Sequence, residues 1–261
     1  MVAEPSPHSG LTSPPHPDAH RPWPRPSCRP AGSMRWLDLL FAHWPLDPEV
    51  LEPHVPRGLE LDTFDSKAWI GVVPFRMARV RPWWSPSVPW LSYFPELNVR
   101  TYVVPAETGD KPGVWFFSLD AGNPVAVRLA RRVFHLPYYD ADMVVERELS
   151  GVRYHSVRTH EGAPRAVLVG SYGPAGPVYR SRPGDLDHWL TERYCLYSGD
   201  DEGRLYRGEI HHEPWPLQPA RAQLDVCDLT SGLGFDLPTE EPLLHFAAEL
   251  DVEAWAIERI T

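Results

Sequence analysis

The alternation of apolar and polar side chains divides the chain into many short extended runs and a few helical ones. The first dense apolar run is Trp36-Leu37-Asp38-Leu39-Leu40-Phe41. Asp47-Pro48-Glu49-Val50-Leu51-Glu52-Pro53 then supplies an N-cap residue, a first-turn proline and an acidic first turn, a short helix that Pro53 and Pro56 stop. Residues 68–77 predict a strand with an irregularity at Pro74, because proline cannot donate to a ladder. Residues 96–104 alternate with period two, and residues 113–119 follow as the next strand after a Gly- and Pro-containing turn.

A helix is predicted at 124–134, with Pro124 early and Val125, Leu129 and Val133 forming the apolar stripe of an amphipathic helix. Residues 143–172 read as strands divided at Gly151 and at 161–164. A short helix from Asp185 to about Tyr194 puts Leu186, Trp189 and Leu190 on one face, and strands are expected at 205–210, 222–226 and 252–258. Strands dominate and helices number two or three, so the fold class is β-rich α+β in a single domain over 34–261. Residues 1–33 hold nine prolines and too few apolar side chains to offset ordering entropy, so they read as a disordered leader, with Met34 as an alternative start of translation.

Composition narrows the function. The net charge of −10 and scattered arginines give no electrostatic footprint for nucleic acid. No apolar run is long enough to span a bilayer, so no membrane partner is expected, and a homo-oligomer is left open. Cys28, Cys195 and Cys227 are widely spaced and make no C-x-x-C, which fits free thiols in a reducing cytoplasm. Glycine-rich nucleotide motifs, Gly-x-Ser-x-Gly and the His-x-His and His-Glu-x-x-His ligand spacings are missing, so neither cofactor nor metal is expected. Only two lysines occur, Lys67 and Lys111, both in turns, which restricts imine chemistry to two amines.

Candidate chemistry concentrates on the strand at 96–104, where period two puts Glu96, Asn98, Arg100 and Tyr102 on one face. Such a row suits either a polar pocket or a solvent-facing side. Ser118 and Asp120 are in reach if the neighbouring strand pairs with it, and Arg76 lies on the strand before. His211-His212 with Pro214-Trp215 forms a second cluster, of which adjacent positions must face opposite ways. Cys195 beside Arg193 reads as a packed thiol among aromatics.

Several segments together resemble the YqjF-like family of bacterial proteins: Phe41-Ala-His-Trp-Pro45, Gly58 to Asp65, Ala68-Trp-Ile-Gly-Val-Val-Pro-Phe-Arg-Met77, Glu96-Leu-Asn-Val-Arg-Thr-Tyr102, Gly113 to Ala121, Leu136-Pro-Tyr138, Leu190 to Tyr197 and Ile210 to Leu217. That resemblance covers about 35–257 and implies an acetoacetate-decarboxylase-like fold, with curled antiparallel sheets or a barrel around an internal pocket. In that decarboxylase, two adjacent lysines follow a helix, and one forms the Schiff base with substrate. The stretch similar to it here is Ala130-Arg-Arg-Val-Phe-His-Leu-Pro137-Tyr138-Tyr139, with tyrosines in the lysine positions. For the decarboxylase's pocket glutamate, the resemblance offers Asn98 first and Glu96 as the register alternative.

A phenol forms no imine, so the implied pocket must work differently. One reading is an enzyme acting on a carboxylate or carbonyl metabolite: Tyr138 or Tyr139 donates a proton, Arg100 binds carboxylate, and His135 or His212 serves as base. Asn98, Glu96, Ser118, Arg76 and Trp215 would complete the ligand's surroundings. The other reading is a non-catalytic module that binds or senses an aromatic or carboxylic small molecule. The list of site residues stands only if Arg100, Ser118, Tyr138 and His212 share one cavity.

Overall fold

The computed structural model describes residues 18–260. The strands in chain order are β1 (Gly32–Leu46), β2 (Leu59–Leu61), β3 (Ala68–Pro82), β4 (Phe94–Pro105), β5 (Gly113–Ala121), β6 (Tyr138–Glu148), β7 (Gly151–Arg158), β8 (Val167–Pro174), β9 (Cys195–Gly199), β10 (Leu205–His212), β11 (Gln218–Asp228), β12 (Leu243–Ala254) and β13 (Glu258–Arg259). Three helices, α1 (Pro48–Leu51), α2 (Pro124–Phe134) and α3 (Leu186–Thr191), lie between them.

The described strands form one sheet that closes through β5-β6-β7-β8-β11-β12-β1-β3-β4 and back to β5, a nine-strand barrel. Its wall also branches. The start of β5 pairs in parallel with β9, and the end of β12 pairs with β10, so β9 and β10 bridge the same two strands by a second route. Strands β12, β1, β3, β4 and β5 are common to both circuits, and the middle of β1, the first half of β3 and most of β4 are covered on both faces.

That double coverage explains the near-continuous apolar runs at 36–41 and 68–77, since a strand buried on both sides has no solvent face to make polar. Leu40, Ala42, Ile70, Val72, Leu97 and Val99 pack on one side against Tyr154, Leu168 and Tyr172 of β7 and β8. Leu39, Phe41, Val73, Phe75, Met77 and Leu119 face the other side, towards Val127, Tyr138 and Trp215. The period-two face of β4 consequently looks into the molecule rather than into water.

The irregularity expected at Pro74 is present, but the extra residue is on the partner strand. Between Leu37 and Ala42, β1 advances one residue more than β3, with Asp38 at φ 54°. The Asp38 carboxylate is held there by Arg76 and by Arg147 at 2.6 Å. Helix α2 matches its predicted span: Asn123 accepts from the Val125 and Ala126 amides at 3.1 Å, and His135 closes the helix at φ 50°.

Four expectations need correction. The stripe Val125, Leu129, Val133 is the exposed face of α2; burial falls on Val127 instead. The last long strand begins at Leu243 rather than near 252, and the helix at 185 ends at Thr191, leaving room for β9. The proline-rich leader expectation fails over 18–33: residues 1–17 lie outside the described residues, but Arg21 is buried, bonding the Ile210 carbonyl at 2.5 Å and Glu209 at 3.1 Å. The Trp23 indole joins the same carboxylate at 2.9 Å, so a few residues with strong partners override the composition. Gly32 and Ser33 already belong to β1.

Candidate functional site

Between the common wall and the β9–β10 bridge lies a cavity of about 300 Å³, roofed by α2 and by Trp215. Its sides are mostly apolar, from Trp36, Leu39, Phe41, Val73, Phe75, Met77, Phe116, Leu119 and Phe134. Glu96, Asn98 and Arg100 enter from β4 at successive positions of one face, as the alternation predicts. Tyr138 enters from the first position of β6, because β6 pairs in parallel with β5 and sets Tyr138 beside Leu119.

The Tyr138 hydroxyl donates to Glu96 Oε2 at 2.8 Å. Burial pushes the Glu96 carboxyl up to about 8, with that hydrogen bond only partly offsetting the loss of water. Glu96 is thus a neutral acid at pH 7, and its Oε1 makes no hydrogen bond to a described residue. Burial, reinforced by Glu96, raises the Tyr138 phenol well above its usual value, so this group stays protonated as well. The pair offers one proton, that of Glu96, and no charge.

Arg100 supplies the charge. Its guanidinium lies 5.4 Å from the Phe41 ring centroid, reaches the Tyr102 hydroxyl only at 3.5 Å, and has no ion pair with a described carboxylate. Arg193, from the turn after α3, also lines the cavity, but its Nη1 is paired with Asp62 at 2.6 Å. Behind Arg100, Tyr102 donates to the Leu190 carbonyl at 2.8 Å and accepts from His43 Nε2 at 2.7 Å. Burial, with Arg100 adding to it, holds the His43 imidazole well below its usual value, hence neutral. Among the cavity-lining residues, Asn98 Oδ1, Arg100 Nε, Arg193 Nη2 and the indole Nε1 atoms of Trp36 and Trp215 are buried without a hydrogen-bond partner among the described residues. Four of these five are donors, an arrangement suited to a ligand rich in acceptor oxygens.

Of the residues singled out in the sequence, Glu96, Asn98, Arg100, Tyr138, His212 and Trp215 converge on this cavity. Four do not. Tyr139 follows Tyr138 on a strand and so faces the opposite way, with the Arg158 guanidinium 4.2 Å from its ring centroid. His135 terminates α2 outside the barrel and stacks on Tyr206 at 4.6 Å. Ser118 is buried, but a register shift between β4 and β5 sets it opposite Val99, on the side away from the cavity. Arg76 is committed to Asp38 at the β1 bulge. Arg100, Tyr138 and His212 are therefore together without Ser118, so the site list fails as drawn and reduces to the residues that line the cavity.

His212 is a constrained base. Burial lowers its pKa, Nδ1 lies 2.8 Å from the Glu213 carbonyl, and the ring stacks on Tyr194 at 4.7 Å. The Cys195 thiol also borders the cavity, and burial pushes it up to about 12, which makes it inert. Neither lysine reaches the cavity: Lys67 pairs with Asp47 at 2.6 Å and Lys111 with Glu209 at 2.5 Å. Among the described residues no three His, Cys, Asp or Glu side chains converge to hold a metal ion, and no helix is long and apolar enough to cross a membrane. Arg193, Thr191 and Arg81 are polar lining residues that sequence reasoning missed; the signal for Arg193 was its place in the Leu190–Tyr197 segment, where it was read through Cys195.

Comparison with known proteins agrees with this architecture. The DUF2071 family, described as an uncharacterized conserved protein, matches residues 33–251. The uncharacterized protein YqjF of Bacillus subtilis (strain 168) is 43% identical over 224 residues, 86% of this chain and 90% of that protein. Among solved structures, the enduracididine biosynthesis enzyme MppR with HEPES bound superposes with a TM-score of 0.62 at 12% identity, covering 90% of this chain and 89% of that one. An acetoacetate decarboxylase-like enzyme from Sphingomonas wittichii RW1 gives 0.59 at 12% identity, covering 89% and 94%. Likeness at such identities shows the fold alone.

Proposed function

The chain belongs to the DUF2071 family of uncharacterized conserved proteins, and from its acetoacetate-decarboxylase-like barrel we propose a pocket that takes up a small, largely apolar carboxylic acid bearing a carbonyl group. Arg100 carries this reading: it is a guanidinium at an apolar cavity with no acidic partner among the described residues. A carboxylate bound there would gain charge-assisted bonds at reduced desolvation cost to the protein, because Arg100 is half-buried and its Nε is already buried without a partner among the described residues. The apolar walls would hold the rest of the molecule, and the neutral Glu96, its Oε2 held by the Tyr138 hydroxyl, would donate to the carbonyl oxygen and stabilise charge developing on it.

This chemistry is non-covalent on the protein side, since no lysine borders the cavity and its one thiol is inert. Binding without turnover is the second reading. It draws support from His212, the one imidazole lining the cavity, whose ring nitrogens both lie against backbone carbonyls.

Thermal-shift measurements with phenylpyruvate, hydrocinnamate and the amide of hydrocinnamate test the proposal. The acids are expected to raise the melting temperature and the amide is not; no shift with any carboxylate would refute it. Mass spectrometry of the same mixtures separates turnover from simple binding. Borohydride added with phenylpyruvate is expected to leave the protein mass unchanged, and a reduced adduct on Lys67 or Lys111 would contradict the non-covalent assignment.

A further inference from the structure

The rim of the cavity is unusual for a water-facing surface. Of the eleven exposed large hydrophobic side chains among the described residues, seven belong to two segments that line the cavity's mouth: Trp83, Trp84, Trp90 and Tyr93 on one, Val125, Leu129 and Val133 on the other. Trp84 and Trp90 are 71% and 69% exposed. Asn123, which caps α2, donates to the Trp90 carbonyl at 3.0 Å, so the two segments are joined. Arg81, Pro82 and Leu91 from one and Leu129 from the other all border the cavity itself. Isolated exposed apolar residues need no explanation, but a contiguous aromatic and aliphatic rim does.

Charge on the same two segments has one sign. Residues 78–95 and 122–137 contain five arginines and no acidic residue, in a chain whose net charge is −10. Arg29 adds to them, its guanidinium 4.7 Å from the Trp83 ring centroid. At about 100° per residue, the α2 stripe of Val125, Leu129 and Val133 is bordered on one edge by Arg128 and Arg132 and on the other by the cavity-lining Ala126 and Ala130. An exposed apolar stripe edged by arginine, beside tryptophans, is the pattern of a helix lying in the plane of a lipid interface.

The geometry points to the mouth of this cavity docking on an anionic lipid surface, with Trp83, Trp84, Trp90 and the outer stripe of α2 entering the headgroup region and the arginines meeting lipid phosphates. A second copy fits the patch poorly, because a two-fold contact would set its arginines against their own equivalents. Carboxylates share grooves with these arginines, Glu213, Asp251 and Glu253 beside Arg79 and Arg81, and Asp140, Asp200, Asp201 and Glu202 beside Arg128 and Arg132. The apolar rim therefore supplies much of the attraction, while the more distant negative charge is screened beyond about 8–10 Å at physiological salt. Peripheral docking needs no membrane-spanning segment, so it is compatible with the lack of such a helix among the described residues. It is also independent of what the cavity binds; only the corollary that an amphiphilic acid passes straight from lipid into the cavity rests on that reading.

Flotation of the full chain with phosphatidylcholine vesicles, with and without phosphatidylglycerol, tests the docking in the absence of any acid ligand. Binding is expected on the anionic vesicles, weakened by salt and accompanied by a blue shift of tryptophan emission. The triple variant Trp83→Ser, Trp84→Ser, Val133→Ser should lose roughly tenfold or more in partitioning. A separate pair, Arg128→Gln and Arg132→Gln, should lose about fivefold per arginine with unchanged melting, and it decides the matter should the triple variant misfold. No binding to anionic vesicles, or binding indifferent to both sets, overturns the proposal. So does a stable dimer in solution that the triple variant dissociates, because a second copy would then cover the patch.

Discussion

Glu96 and Tyr138 form a pair whose protonation the barrel dictates. Because the folded carboxyl titrates at about 8 against 4.5 ordinarily, the folded protein holds a proton that the unfolded chain has released throughout that interval. Stability therefore falls as pH rises from about 4.5 to about 8, by roughly 4–5 kcal/mol in total if no other group compensates. Urea unfolding across this range should show the slope, and Glu96→Gln should flatten it. Affinity for an acid ligand should likewise fall above about pH 8, where Glu96 becomes an anion beside the ligand. At this scale the sequence was partly legible. Period two on β4 located Glu96, Asn98 and Arg100 correctly, and the resemblance located Tyr138. Tyr139 and His135 were misplaced because nearness in sequence to Tyr138 says nothing about which face of a strand or end of a helix a side chain occupies. The Glu96–Tyr138 bond depends on a parallel β5–β6 pairing that no local pattern announces.

At the scale of elements, close approach between β1 and β3 holds the support of Arg100 in place. A Cβ at Gly71 would lie 2.9 Å from the His43 ring, whose Nε2 bonds Tyr102. Gly71→Ala should therefore cost about 1–3 kcal/mol through overpacking and weaken acid binding as His43 and Tyr102 shift, which chemical denaturation and calorimetry would report. An unchanged denaturation midpoint would show that the ring moves aside freely. Spacing found α2 with nearly its observed bounds, yet much of its apolar stripe is exposed, because the helix meets the cavity along Ala126, Ala130 and Phe134 with Leu129 at the edge. Amphipathic periodicity identifies a helix and leaves open what its apolar face meets.

The whole molecule is a barrel whose wall divides at β5 and β12, and that division creates the cavity between two sets of strands. Composition pointed to a β-rich domain; it contained no sign of the division, which rests on long-range pairings such as Val114 with Leu196 and Ile210 with Ala254. Residues 18–31 belong to this assembly, since Arg21 and Trp23 converge on Glu209 in β10, the strand that carries His212. A chain beginning at Met34 loses those partners and the first two residues of β1, and is expected to be less stable by about 3 kcal/mol or more. Equal melting temperatures for the two lengths would show that the segment only rests on the barrel.

Recognition of a carboxylate by Arg100 underlies the functional proposal, and calorimetric titration of the acid that best stabilises the protein, into the unmodified chain and into Arg100→Met, tests it most directly. Removing a buried charge-assisted contact should weaken binding at least ~30-fold while the fold is retained. Equal affinity for the two proteins would contradict the assignment of Arg100 as the carboxylate site.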